Sequence, residues 1–346
     1  MTIQQNTDRI QTTHIGSLPR PVALLDTMKA KFSGQPYDEA AYEASLRDAV
    51  RDVVKKQVDC GIDIVTDGEF SKPGFFTYIQ ERLEGFEPRP NQKLILFQKE
   101  IEAFPDYYAD YFKQAMLGGA IVKLNPVVCV GPVKYRGDKA VQRDIANVKT
   151  AAKAAGVPDE HVFLPATAPS GVGINEYYKS DEEYFHALAV EMGKEYKAIT
   201  DAGILVQVDD PFLPDIFVEP GLFFFNFKGS SEIYSEACNT ALKGIPAERV
   251  RFHTCYGINE GPRLYEAALS DIIDYVLSIN AGSFSFEGAN PRHEHEYHLF
   301  EKVKVPKDKV LCPGVITHAS NIVEHPELIA ERLIRFAKLV GRENVM

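Results

Sequence analysis

The runs RVRFHTCYG (249–257) and GSFSFEG (282–288) decide how this chain folds. Each is a short stretch of alternating apolar and polar residues closed by glycine, and an amphipathic stretch over 262–279 separates them. That order predicts a strand, a crossover helix and a second, parallel strand. Side chains two apart on a strand point to one side, so His253 and Cys255 face the same way. Ser283, Ser285 and Glu287 lie opposite Phe284 and Phe286. A carboxylate ending a core strand needs a partner, because an unpaired buried charge is costly. Imidazole, thiol and carboxylate at consecutive strand ends suit a tetrahedral zinc ion. His253, Cys255 and Glu287 are therefore a candidate thiol-activating metal site. On its own, a His-x-Cys pair on a strand is more often two buried residues; Glu287 on the neighbouring strand end is what shifts the balance.

Working outward, the same alternation recurs almost throughout. Strands are predicted at THIGSLP (13–19), DIVTDGE (63–69), VFLPATAP (162–169), LVQVDDP (205–211) and KVLCPGVITH (309–318), with helices at 40–60, 182–202, 230–243, 262–279 and 327–340. Repeated βα units imply an α/β protein built on a parallel sheet. An open sheet of seven strands would leave unpaired edges, whereas eight strands close. The expectation is a single (β/α)8 TIM barrel over residues 1–346, its eighth unit truncated after Met346. Residues 84–135 break the rhythm and are read as a β excursion, with strands expected in PNQKLILFQKEIEAF, AIVKLNPVVC and VGPVKY.

Composition excludes several function classes. A net charge of −11 over 346 residues argues against nucleic acid or an acidic membrane surface as partner. No apolar run is long enough to span a bilayer, and the first residues lack the apolar core of a secretory signal. The five cysteines are scattered, with no C-x-x-C pair, so a disulfide framework is not expected. The cytosol is the plain reading, with small molecules as partners. Nucleotide-binding glycine motifs and the G-x-S-x-G elbow are absent.

In a barrel, chemistry gathers at the C-terminal ends of the strands. Those ends carry Ser17, Asp67, Glu69, Thr167, Ser170, Asp209, Asp210, His253, Cys255, Glu287 and His318. Asp209 shares a face with Gln207 and should point to the axis, whereas Asp210 could cap the following turn. Cys312, early on its strand, reads as packing. His293, His295 and His298 have spacings that could bind metal, but a solvated helix start is the plainer account; metal ranks behind packing and a contact with substrate.

IGSLPRP, the Asp67–Glu69 DGE, VCVGP, VDDP, HTCYG, FEGANPR and PGVITH occur in the order found in cobalamin-independent methionine synthases. The chain resembles their catalytic C-terminal barrel over nearly its whole length, most closely the short branch often labelled family II. The epoxyalkane:coenzyme M transferase is a more distant relative on that scaffold. The resemblance implies zinc held by His253, Cys255 and Glu287. It also implies that Asp209 holds the ammonium group of homocysteine, Ile15 and Ser17 contact its carboxylate, Glu69 adds an amino-acid contact and His318 donates a proton. The family's fourth ligand, a cysteine in an Asp-Cys-Gly sequence, has no counterpart up to Met346. Tryptophan, on which the long enzymes stack the folate pterin, is absent, and so is their N-terminal half-domain. The expected activity is zinc-dependent methyl transfer to a thiol, homocysteine above all, with the methyl donor left open and not restricted to a folate polyglutamate. The alternatives are a thiol–epoxide alkyltransferase of the coenzyme M type, a metal-free barrel like porphyrinogen decarboxylase, and a non-catalytic binding paralogue.

Overall fold

Strands β1 (Leu83–Pro88), β2 (Val127–Tyr135), β3 (Phe163–Thr167), β4 (Ile174–Asn175), β5 (Leu205–Asp210), β6 (Val250–Thr254), β7 (Ser283–Glu287) and β8 (Val310–Gly314) form two sheets. The computed structural model describes residues 8–75, 77–90, 97–111, 126–210, 212–218, 231–257, 261–317 and 319–346. The larger sheet runs β3-β5-β6-β7-β8, and every pairing in it is parallel. Its strands fall where the alternation predicts.

The helices among the described residues are α1 (Val22–Phe32), α2 (Glu39–Asp59), α3 (Ile79–Arg82), α4 (Gln98–Ala103), α5 (Pro105–Tyr111), α6 (Asp138–Ala154), α7 (Asp181–Asp201), α8 (Leu213–Val218), α9 (Ser231–Ala241), α10 (Leu269–Ser278) and α11 (Pro326–Val340). Their boundaries follow ordinary capping chemistry. The Asp38 carboxylate accepts the Ala41 N–H ahead of α2, and the Ser180 hydroxyl accepts that of Glu183 ahead of α7. Acidic side chains in the first turn of α7 complement its dipole. None of the described helices is long and apolar enough to cross a membrane.

The two faces of the sheet differ in chemistry. Val206, Val208, Phe252, Phe284, Phe286 and Leu311 join the main core with the helices, and each fully buried phenylalanine contributes about 1.5–3 kcal/mol. On the other face Phe163, Leu205, Val310 and Cys312 form a small cluster with Ile64 and Met346. Cys312 is thus a packing residue, as expected. The first and last parts of the chain flank the sheet: Val65 makes a parallel bridge to Val162, and Val345 one to Leu311.

Three expectations need correction. Residues 13–19 and 63–69 form no strand ladder. The Asp67 carboxylate accepts the Glu69 N–H at 2.9 Å and turns the chain there, leaving Glu69 at φ 60°; a side chain that turns its own backbone competes with a ladder. Residues 98–103, expected as strand, are helix α4. Residues 127–135, expected as parts of two strands, are one continuous strand antiparallel to β1, and the remainder of the expected segments, 91–96 and 120–125, lies outside the described residues. Beneath this excursion Arg82 is buried between Asp144 at 2.6 Å and Glu195 at 2.8 Å. That ion triad ties α3 to α6 and α7.

Candidate functional site

Parallel register sets one polar row across the sheet. Thr167 pairs with Asp209, Asp209 with His253, His253 with Ser285 and Ser285 with Cys312. The row immediately before it contains Gln207, Arg251 and Ser283. The side chains of these two rows lie opposite the apolar face that packs on the helices, so polar chemistry collects on the face turned away from them.

At one end of the row lies a carboxylate pair. Glu69 is buried; the Ser17 hydroxyl donates to its Oε2, and Lys72 reaches its Oε1 at 3.1 Å. Lys72 also donates to the Pro165 carbonyl at 2.5 Å and lies 4.3 Å from the Tyr78 ring centroid. Arg20 fixes the turn through the carbonyls of Glu69 and Lys72, at 2.6 and 2.8 Å. Gly16 sits against this group at φ 150°, and a Cβ there would come within 3.0 Å of the Pro165 ring and 3.6 Å of Glu69 Oε2. Burial first, and then the Glu69 charge, push Asp209 well above the usual carboxylate range; Lys72, the Gln207 amide and Arg251 oppose that shift. Asp210 does something else. Its Oδ1 accepts the N–H groups of Phe212 and Leu213 and the Ser170 hydroxyl, at 3.0, 3.1 and 2.9 Å, which is the turn-capping role considered for it.

At the other end stand the proposed metal ligands. His253 Nδ1 lies 3.2 Å from Ser285 Oγ. Glu287 Oε1 accepts three backbone N–H groups, from Gly288, Ala289 and Asn290, at 2.9, 2.7 and 2.9 Å. Half of that carboxylate therefore organises the loop after β7. The Cys255 thiol is held neutral, pushed far up by burial and then by Asp209, Asp215, Glu287 and Glu266. Among the described residues, no three His, Cys, Asp or Glu side chains are arranged closely enough to hold a metal ion. His318 lies outside the described residues.

The histidine run divides. His295 and His298 are exposed, and His298 pairs with Glu301 at 2.6 Å. His293, contrary to a solvated helix start, is buried. Its Nε2 meets Glu266 at 3.0 Å and its Nδ1 meets Glu296 at 3.1 Å. Glu266 in turn accepts the Gly257 N–H at 2.7 Å, so His293 braces the loop that follows Cys255. Gly257 is needed there: at φ 67° a Cβ would meet His293, Asn290 and Glu287 at 3.1–3.3 Å. Burial alone would lower the His293 pKa, but the two glutamates raise it to about 9. A histidine raised in the folded state gives stability that is full below its unfolded value near 6.5 and is lost as pH climbs through 9. Wild-type protein is expected to lose about 1–2 kcal/mol more than His293→Gln between pH 6 and pH 10, allowing for solvent screening. Urea denaturation at both pH values measures this, and equal losses would refute the assignment.

Sequence reasoning missed Lys72, Arg251 and Glu266. Arg251 was within reach of it, since a charged residue two before His253 on a core strand must face the same inner side.

Known proteins share this arrangement of sequence and fold. Residues 10–135 match the family model described as the cobalamin-independent synthase catalytic domain. A methionine synthase of Sulfolobus acidocaldarius is 28% identical over 249 residues, 72% of this chain and 62% of that protein. One from Thermococcus kodakarensis is 26% identical over 342 residues, 97% of this chain and 84% of that protein. The fold matches a B12-independent methionine synthase from Shewanella sp. W3-18-1, solved with selenomethionine, with TM-score 0.68 at 20% identity over 97% of this chain and 89% of that one. It also matches a putative vitamin-B12-independent methionine synthase from Listeria monocytogenes, with TM-score 0.66 at 21% identity over 98% and 90%.

Proposed function

We propose, for a chain related to the cobalamin-independent methionine synthases, that it transfers a methyl group to the sulfur of homocysteine, with zinc held by His253, Cys255 and Glu287. The observation that carries this reading is the register that sets Asp209 beside His253 and His253 beside Ser285 on one face of the sheet, with the Glu69 charge acting on Asp209 and that of Glu287 on the Cys255 thiol. An amino-acid thiol has its ammonium and its sulfur at opposite ends, and this line offers carboxylates at one end and zinc-type donors at the other. The same relationship, together with Ile64 and Met346 in one inner cluster, supports a closed (β/α)8 barrel formed by one domain, with the site at its strand ends.

The donor set fits the ion in chemistry. Nitrogen, sulfur and oxygen ligands suit zinc, and the negative charge that Asp209 and Glu287 exert on the Cys255 thiol is of the sign a divalent cation offsets. Zinc held there by His253, Cys255 and Glu287 would supply the positive charge that favours the thiolate form of a substrate thiol and keeps its sulfur nucleophilic. The rest falls to the protein. Asp209 and Glu69 take the ammonium, whose charge offsets the repulsion between them. The Ile15–Ser17 turn, pinned by the Ser17–Glu69 hydrogen bond, receives the carboxylate. Holding both ends converts an encounter into an oriented attack on the methyl carbon. His318, assigned on resemblance, protonates the leaving group. A sulfonate-bearing thiol of the coenzyme M type fits less well, since two carboxylates stand where its anion would bind.

Titration calorimetry of L-homocysteine into zinc-loaded protein, in two buffers of different ionisation enthalpy, tests the reading. Binding with release of about one proton is expected. Absence of binding would overturn it.

A further inference from the structure

In the row before Asp209 lies a buried cation, Arg251, whose hydrogen bonds among the described residues go to neutral acceptors. The Arg251 side chain donates from Nε to Gln207 Oε1 at 2.5 Å, from one terminal nitrogen to Thr13 Oγ1 at 2.9 Å and from the other to the His14 carbonyl at 3.1 Å. Its guanidinium lies 4.0 Å from the Phe163 ring centroid. Gln207 is fully buried beside it, and its Nε2 donates both to Asp209 Oδ1 at 2.7 Å and to the Ile15 carbonyl at 2.5 Å.

This arrangement has a direction. Guanidinium can only donate, so Arg251 requires an acceptor and draws the Gln207 oxygen toward itself. The amide nitrogen must then face the other way, toward Asp209 and the Ile15 carbonyl. A flipped amide would set oxygen against both of those acceptors. One cation below the site thus fixes the polarity of one amide, and that amide joins Asp209 to the turn at Ile15–Ser17.

We propose that Arg251 and Gln207 are positioning residues that set selectivity for thiols bearing an α-amino acid head group. The proposal rests on the reading of Asp209 and the Ile15–Ser17 turn given above. Neither residue touches the substrate. They hold the ammonium acceptor and the carboxylate-binding turn at a fixed separation, so that only a ligand carrying both charges at that spacing gains from both contacts.

Calorimetric binding of L-methionine and of 4-(methylthio)butyrate, which lacks the amine, tests this without turnover or metal. Wild type is expected to prefer methionine. Gln207→Met should weaken methionine about tenfold, the effect of one lost buried hydrogen bond, and leave the amine-free analogue within about twofold of wild type. Arg251→Met should do the same. Arg251→Lys keeps a donor for Gln207 Oε1 and should restore most of the preference, which a purely structural arginine would not predict. If Arg251→Met proves unfolded by circular dichroism, Gln207→Met and Arg251→Lys decide the matter. Folded Gln207→Met protein with the wild-type preference overturns the proposal and leaves the proposed function standing. Wild type with no preference overturns the head-group reading and this proposal together.

Discussion

Cys255→Ser is expected to lose bound zinc and methyl transfer to homocysteine together, each by more than about 100-fold. Even removal of a residue that merely orients a metal ligand costs about 10–100-fold, and Cys255 is assigned as a ligand itself. Serine keeps the size of the side chain but does not ionise near neutral pH, so the sulfur anion is lost. The fold should barely notice. Cys255 lies just past β6, is only half-buried, and its backbone N–H still donates to the Asp210 carbonyl at 3.1 Å. Stability is expected to stay within about 1 kcal/mol of wild type. A companion result follows from the thiol being pushed up by burial and by four acidic neighbours. Without metal it should react slowly with iodoacetamide at pH 8, because only the thiolate attacks. Zinc content by mass spectrometry and initial rates check the main claim; a folded variant that keeps stoichiometric zinc and full turnover would remove Cys255 from the ligand set.

What could be read from the sequence tracks the physics of alternation. Strands β5 to β7 were legible almost to the residue because one face is apolar, as in Val206 and Val208, while the other carries Gln207 and Asp209. Period-two patterning of that kind permits only one register. The segments around Thr13 and Val65 misled because their apolar residues are as strand-like as the others. A single side chain, Asp67, turns the second of them by capping the Glu69 N–H. Helix α4 escaped although Phe97, Ile101 and Phe104 stand at the helical spacing i, i+4 and i+7, because the apolar run just before them in sequence was extended through them as a strand. Site residues were legible where a motif marks the strand end. The supporting shell was less so: alternation puts Arg251 on the face of His253, but Lys72, Arg251 and Glu266 act through partners 93, 44 and 9 residues away in sequence, and no local pattern announces such pairs.

Asp209→Asn should shift binding and stability in opposite directions. An asparagine keeps the shape but cannot neutralise an ammonium, and losing one partner of a buried, hydrogen-bonded charge pair typically costs 2–5 kcal/mol. The KM for homocysteine is therefore expected to rise on the order of 10²-fold, with a smaller change in kcat. A thiol without an amine should be handled as by wild type. Stability moves the other way. Burial, followed by Glu69, holds the Asp209 pKa well above its ordinary value in the fold, so the folded protein keeps a proton that the unfolded chain gives up near pH 3.9. Above that pH, up to the raised folded value, the aspartate costs stability progressively, and asparagine removes the cost. Thermal melts of ligand-free protein should agree at pH 4 and favour the variant by a few degrees at pH 7. This is the trade-off expected of a residue whose charge is placed for a ligand and not for the fold. A variant that melts lower at pH 7 and binds homocysteine as wild type does would make Asp209 a structural residue and leave the ammonium without its acceptor.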